Sequence, residues 1–190
     1  ETISGGSVAN SIVGLSQLGN DVGFIGKVSN DELGQKYEDG LKKENVNYLY
    51  NKKNESLPTG TCLILITPDS ERTMCTYLGA CVELTENDID HATVANSNIT
   101  YLEGYLWDPD EAKNAFRKAI KIAHEAGNKV ALSLSDSFCV DRHHQEFVEL
   151  VKNDVDILFA NEDEIKKLYE TSDVNDAARQ LQEDCDIGAI

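Results

Sequence analysis

Apolar residues Ala9, Ile12, Val13, Leu15 and Leu18 recur at helical spacing, and Gly19-Asn20 supplies a stop. Residues Val22 to Val28 then predict a strand, and residues 31 to 43 a second helix with Ser29, Asn30 or Asp31 as its cap. From Tyr48 to Leu84 the pattern changes. Thr61 to Thr67 is β-branched and apolar, Pro68-Asp69-Ser70-Glu71 is turn-forming, and Arg72 to Leu78 is extended again, which predicts a β-hairpin. Alternate side chains of a strand share a face, so Arg72, Met74, Thr76 and Leu78 should point together, opposite Thr73, Cys75 and Tyr77.

Beyond Asn96 short apolar runs alternate with longer amphipathic ones. The reading is strand Ile99 to Leu102, helix Pro109 to Ala126, strand Lys129 to Leu134, helix Asp141 to Lys152, strand Val155 to Phe159 and helix Glu162 to Tyr169. The closing Asp186-Ile-Gly-Ala-Ile reads like the start of another strand. Helices between short buried runs imply a mostly parallel sheet covered on both faces, an α/β architecture. In such sheets ligands lie outside the carboxyl ends of the strands. Those ends carry Glu103-Gly104-Tyr105, Ser135-Asp136-Ser137-Phe138 and Asn161-Glu162-Asp163-Glu164.

Composition narrows the partners. The 190 residues hold 34 acidic and 17 basic side chains, a formal charge of −17, which repels nucleic-acid backbones and anionic membrane surfaces. The ordinary explanation of such a charge is solubility. Five cysteines without a CxxC pair cannot all close into internal disulfides, which favours a reducing, cytoplasmic setting. Neither a basic region followed by an apolar core at the start nor a run of roughly 18 apolar residues predicts export or membrane spanning.

Three places could carry chemistry. Gly5-Gly6-Ser7-Val8-Ala9-Asn10 sets two glycines before a helix, where backbone N–H groups can serve ligand oxygens and Asn10, a turn later, can reach the same hydroxyls. A purely structural glycine turn explains the same residues. Asn161 and Glu164, three apart at a helix start after a strand, suit a hydrated magnesium ion, and a capping box explains them as well. Arg72, at the end of the hairpin turn, could reach a phosphate or could merely be solvated beside Glu71. His143 and His144 are adjacent and so point apart, which reads as two surface residues rather than metal ligands, and Asp88, Asp90, Asp108 and Asp110 read as helix-start and loop residues. The chain has no GxxxxGK[ST] loop and no GxGxxG after a strand.

Taken in order, Gly5-Gly6 to Asn10, Gly26-Lys27-Val28-Ser29-Asn30-Asp31 to Gly34, Pro58-Thr59-Gly60-Thr61 and Asn161 to Glu164 resemble the PfkB, or ribokinase-like, kinases, closest to the adenosine kinase branch. The resemblance implies an α/β sheet core with a small β lid contributed by about residues 47 to 80, the whole of 1–190 forming one partial domain. It implies transfer of the ATP γ-phosphate to a hydroxymethyl group of a nucleoside or sugar, with magnesium. By matching position, Gly5, Gly6 and Asn10 would hold sugar hydroxyls, Cys62, Met74 and Thr76 would lie on the lid face over the acceptor, and Tyr105 and Phe138 would flank a purine. Arg72 would meet phosphate, and Asn161 with Glu164 would form the NxxE motif that organises magnesium. In this family a first strand bearing a sugar-gripping aspartate precedes the glycine pair, and an anion hole with the catalytic aspartate follows much later. The expectation is therefore a fragment truncated at both ends, inactive alone, holding no catalytic base and prone to self-association through lid or exposed core. Two other readings stay open: a ribose- or fructose-type sugar kinase, and a non-catalytic nucleoside-binding module.

Overall fold

The computed structural model describes residues 2–190, which divide into two compact units, one ending at Asp88 and the other Ile89–Ile190.

In the first unit, helix α1 (Ser7–Gln17) is followed by strand β1 (Gly23–Phe24), helix α2 (Glu32–Lys43) and strand β2 (Asn47–Tyr48), which pairs parallel with β1. Of the apolar stripe expected of α1, Ala9 and Ile12 are buried against Leu41 of α2 and Val46, with Val13, Phe24, Tyr37 and Tyr48 around them, whereas Leu15 and Leu18 are exposed. The strand expected over residues 22 to 28 is shorter. Pairing ends at Phe24, the Tyr48 hydroxyl donates to the Gly26 carbonyl at 2.6 Å, and Lys27 turns inward instead of alternating with the strand. The Lys27 ammonium is buried, 3.1 Å from Asp88 and 3.8 Å from Glu55, and it donates to the Glu83 carbonyl at 2.9 Å. A buried cation needs such partners, and an isolated parallel bridge between Ser29 and Lys53 follows.

The hairpin forms as expected: β3 (Thr61–Ile66) pairs antiparallel with β4 (Arg72–Tyr77), and Ser70 takes a left-handed φ of 70° in the connecting turn. Its register sets Cys62 opposite Thr76, Ile64 opposite Met74 and Ile66 opposite Arg72, so these six share one face. Every residue of both strands is exposed. At the foot of the hairpin, Asp31 caps α2 through Oδ1, which accepts from the Gly34 N–H at 2.8 Å and from the Thr59 hydroxyl at 2.7 Å, while Oδ2 accepts from the Thr59 N–H at 2.8 Å. The second foot leaves through Gly79 at φ 57°, where a Cβ would stand 2.3 Å from the Pro58 carbonyl oxygen, and the Ala80 N–H closes onto that carbonyl at 2.9 Å.

The second unit is an alternating α/β layer. Helix α3 (His91–Ala95), capped by Asp90, precedes β5 (Ile99–Glu103), a 3₁₀ turn Gly104–Trp107, and α4 (Asp110–Glu125). Then come β6 (Lys129–Ser133), α5 (Ser137–Arg142), α6 (His144–Asp154), β7 (Ile157–Phe159), α7 (Glu162–Leu168), α8 (Val174–Asp184) and β8 (Ile187–Ala189). The sheet order is β5-β6-β7-β8, all neighbours parallel. Val130, Ala131 and Leu132 are each buried, as a strand covered on both faces requires. On α4, Ala112, Ala115, Ala119 and Ala123 are buried small residues, and Phe116 of that helix and Phe147 pack on the fully buried Trp107 with ring centroids 5.8 and 5.9 Å away.

The single helix expected over residues 141 to 152 is two. His143 leaves helical backbone at φ −122°, and its ring lies between Asp108 at 2.6 Å and Glu146 at 3.4 Å. His144 meets the Leu168 carbonyl at 2.9 Å, so neither histidine is the free surface residue that their adjacency suggested. The pair does point apart. Helix α8 was not anticipated, although Ala177 and Leu181 bury a clear stripe and Asp173 caps it.

Candidate functional site

In the first unit, Gly6 stands at the start of α1 with φ 110°, a conformation open to glycine, and the Asn10 N–H returns to its carbonyl at 2.9 Å. No side chain caps this helix end. A Cβ on Gly5 would meet nothing within 4 Å, so there is open space beside the chain just ahead of α1, and Asn10, one turn on, is exposed. On the hairpin, Cys62 Sγ lies 3.2 Å from Thr76 Oγ1, and Met74 is more than half exposed beside them. Arg72 sits at the turn end of the same face, exposed and in no ion pair among the described residues. The structure thus brings Cys62, Met74, Thr76 and Arg72 onto one surface, as the alternation of β4 requires.

In the second unit, Tyr105, Phe138, Asn161 and Glu164 all follow carboxyl ends of strands β5, β6 and β7. Phe138 is 71% exposed, with the Lys167 ammonium 5.8 Å from its ring centre, and Tyr105 is 45% exposed. Burial, reinforced by the nearby Asp136 carboxylate, pushes the Tyr105 phenol up to about 12, so it acts as a neutral hydroxyl. Asn161 and Glu164 form a complete capping box: the Glu164 N–H donates to Asn161 Oδ1 at 2.9 Å, and the Asn161 N–H donates back to Glu164 Oε2 at 3.0 Å. A third bond runs from Asn161 Nδ2 to Glu164 Oε1 at 2.7 Å.

Glu164 is 4% exposed; burial pushes its carboxyl up, and the neighbouring Asp136 and Asp163 add to this against the Asn161 N–H. That arrangement bears on magnesium. Each Glu164 oxygen already takes one hydrogen bond, and no group of three or more His, Cys, Asp or Glu side chains able to hold a metal occurs among the described residues. With both oxygens of Glu164 already accepting, an ion here would be met through its water shell rather than ligated directly.

Two residues that the sequence placed at these strand ends take roles it did not assign them. Asp136 caps α5 by accepting from the Cys139 N–H at 2.7 Å, and Ser135 adopts φ 75°. The first had a signal, an aspartate just before a helical run. The second had none, because serine has no preference for that backbone region.

Comparison with known proteins follows this geometry. The profile of the pfkB family carbohydrate kinases matches residues 1–188. The adenosine kinase from Sinorhizobium meliloti superposes with a TM-score of 0.92 at 45% identity, covering 97% of this chain and 57% of that one. A probable sugar kinase from Rhizobium etli gives 0.92 at 42% identity, covering 97% and 56%. A 5-dehydro-2-deoxygluconokinase from Clostridium perfringens is 36% identical over 129 residues, 66% of this chain and 38% of the relative. The chain thus spans just over half of the solved relatives and less than half of the curated one. No described helix is long and apolar enough to cross a membrane. With a family match over nearly its whole length and ribokinase-like architecture in agreement, the chain belongs to the pfkB family of carbohydrate kinases.

Proposed function

We propose that the whole protein moves the γ-phosphate of ATP to a hydroxymethyl group of a nucleoside of the adenosine class. The observation that carries this reading is the pair of solvent-facing aromatics, Tyr105 and Phe138, at neighbouring strand ends of the second unit. Aromatic faces favour a flat base over a bare sugar. The 45% identity to an adenosine kinase supports the same choice.

In the first unit, the Gly5-Gly6 backbone and the α1 N–H groups bind ribose hydroxyls together with the Asn10 amide. The hairpin face of Cys62, Met74 and Thr76 excludes water from the acceptor, and Arg72 meets phosphate oxygen. In the second unit, Asn161 orients Glu164, whose carboxylate receives the water shell of magnesium. When bound, that ion neutralises phosphate charge. A hydroxyl acceptor also needs a group to take its proton, and no residue of this chain is assigned that task.

The test is binding of adenosine, ribose and fructose to the chain by calorimetry, alongside ATP-dependent phosphorylation of the same acceptors with magnesium by the whole protein. Adenosine binding that falls about tenfold or more in Tyr105→Ala and Phe138→Ala supports the reading. Tight ribose or fructose binding, indifferent to both substitutions, would instead make this a sugar kinase, the reading that the Rhizobium etli relative favours.

A further inference from the structure

The φ of 75° at Ser135 belongs to a tight three-residue turn, in which the Asp136 N–H bonds to the Leu134 carbonyl at 3.0 Å. A γ-turn of this hand is rare and strained, and for a residue with a Cβ the strain has to be held by its surroundings. The surroundings here are Tyr105. Its backbone N–H donates to Ser135 Oγ at 3.2 Å, and its phenol hydroxyl donates to the Ser135 carbonyl, also at 3.2 Å. One residue therefore grips the tyrosine at both ends. The Ser135 hydroxyl in turn donates to the Ser133 carbonyl at 3.4 Å, and its own N–H donates to Ser133 Oγ at 3.3 Å.

The turn is packed from the other side too. A Cβ on Gly104 would come within 2.9 Å of the Leu134 carbonyl oxygen, so the segment carrying Tyr105 lies directly on the strand end. The Cys139 thiol donates to the Gly104 carbonyl at 3.2 Å, joining that segment to the helix that bears Phe138. The left-handed turn delivers Asp136 to cap α5 and leaves the Ser135 carbonyl accepting from the Tyr105 phenol.

We infer that Ser135 is a positioning residue for acceptor selectivity: its strained turn fixes the Tyr105 ring relative to Phe138 and so sets the preference for a nucleobase over a bare sugar. This rests on the reading of Tyr105 as an acceptor contact, and the experiment separates the two. Ser135→Gly accepts φ 75° without strain and deletes Oγ, so it should melt no lower than wild type while losing selectivity. Expected are about five- to tenfold weaker adenosine binding, ribose binding within about twofold, and about tenfold faster hydrogen exchange at the Tyr105 amide. Ser135→Ala, which keeps the strain and loses Oγ, should shift selectivity likewise but melt lower. A purely structural role would move stability and binding together. Unchanged adenosine affinity in Ser135→Gly, with Tyr105→Ala weakened, overturns the inference and spares the functional reading. Unchanged binding in Tyr105→Ala overturns both.

Discussion

The tie between Asp31 and Thr59 is open to a direct test, because its parts can be weighed separately. Asp31→Ala removes the cap of α2, which costs about 1 kcal/mol. It also strands the Thr59 N–H, in a residue only 7% exposed, for a further cost of about 1–3 kcal/mol. The Thr59 hydroxyl can still turn to the Ser29 carbonyl, 3.5 Å away, so it adds little. The sum is about 2–4 kcal/mol, a large part of the roughly 5–15 kcal/mol that holds a domain together. Urea unfolding followed by far-ultraviolet circular dichroism reads the loss. Trp107, the chain's single tryptophan, lies in the unit Ile89–Ile190, so its fluorescence reports the unfolding of that unit. Asp31→Asn keeps one acceptor oxygen and should lose about half as much. Burial pushes the Asp31 carboxyl up, but hydrogen bonds from Thr59 and Gly34 outweigh it and hold the group below its ordinary value. The stabilisation is thus fully present above the unfolded value of about 3.9 and disappears as the pH falls through the lower, folded one. The gap between wild type and Asp31→Asn should therefore close in acid. A loss under about 0.5 kcal/mol in Asp31→Ala, or a gap that widens on acidification, refutes the reasoning.

Other consequences follow from the same geometry. Glu164→Gln retains an oxygen for the Asn161 N–H while removing a charge set against Asp136 and Asp163; because the native carboxyl is raised, the stability of this variant relative to wild type should grow as the pH climbs through that folded value, as thermal melts across pH would show. Gly79→Ala forces a left-handed backbone on a Cβ and drives it into the Pro58 carbonyl, so it should cost about 2 kcal/mol or more in urea unfolding. Trp107→Phe loses the indole bond to Glu146 and leaves a cavity, costing about 2–3 kcal/mol by the same measurement, although Lys113 still holds Glu146 at 2.7 Å.

Much of the second unit was legible because a parallel strand buried on both faces has to be a short apolar run. Val130-Ala131-Leu132 and Ile157-Leu158 stand out for that reason, the latter ahead of an exposed Phe159, and the helices between them inherit their period. The hairpin was legible through its turn residues. The break at His143 was not, since its cause is a pair of carboxylates, one of them 35 positions away. Nor was the inward turn of Lys27 beyond β1, whose partners Glu55 and Asp88 lie far along the chain. Of the candidate site, the residues at strand ends could be placed from topology alone, whereas the capping box and a possible ion role for Asn161 and Glu164 share one pattern. The structure shows the box complete and the carboxylate buried beside two others.

The exposed hairpin has an evolutionary consequence. Because no residue of β3 or β4 is buried, substitutions along them barely touch the core, and each should change stability by no more than about 0.5 kcal/mol. The surface bearing Cys62, Met74 and Thr76 can therefore drift through many sequences without crossing the threshold below which a protein fails to fold. The tightly constrained feet at Thr59 and Gly79 cannot. The hairpin's exposed face is thus free to vary at little thermodynamic cost, while its anchor points are not.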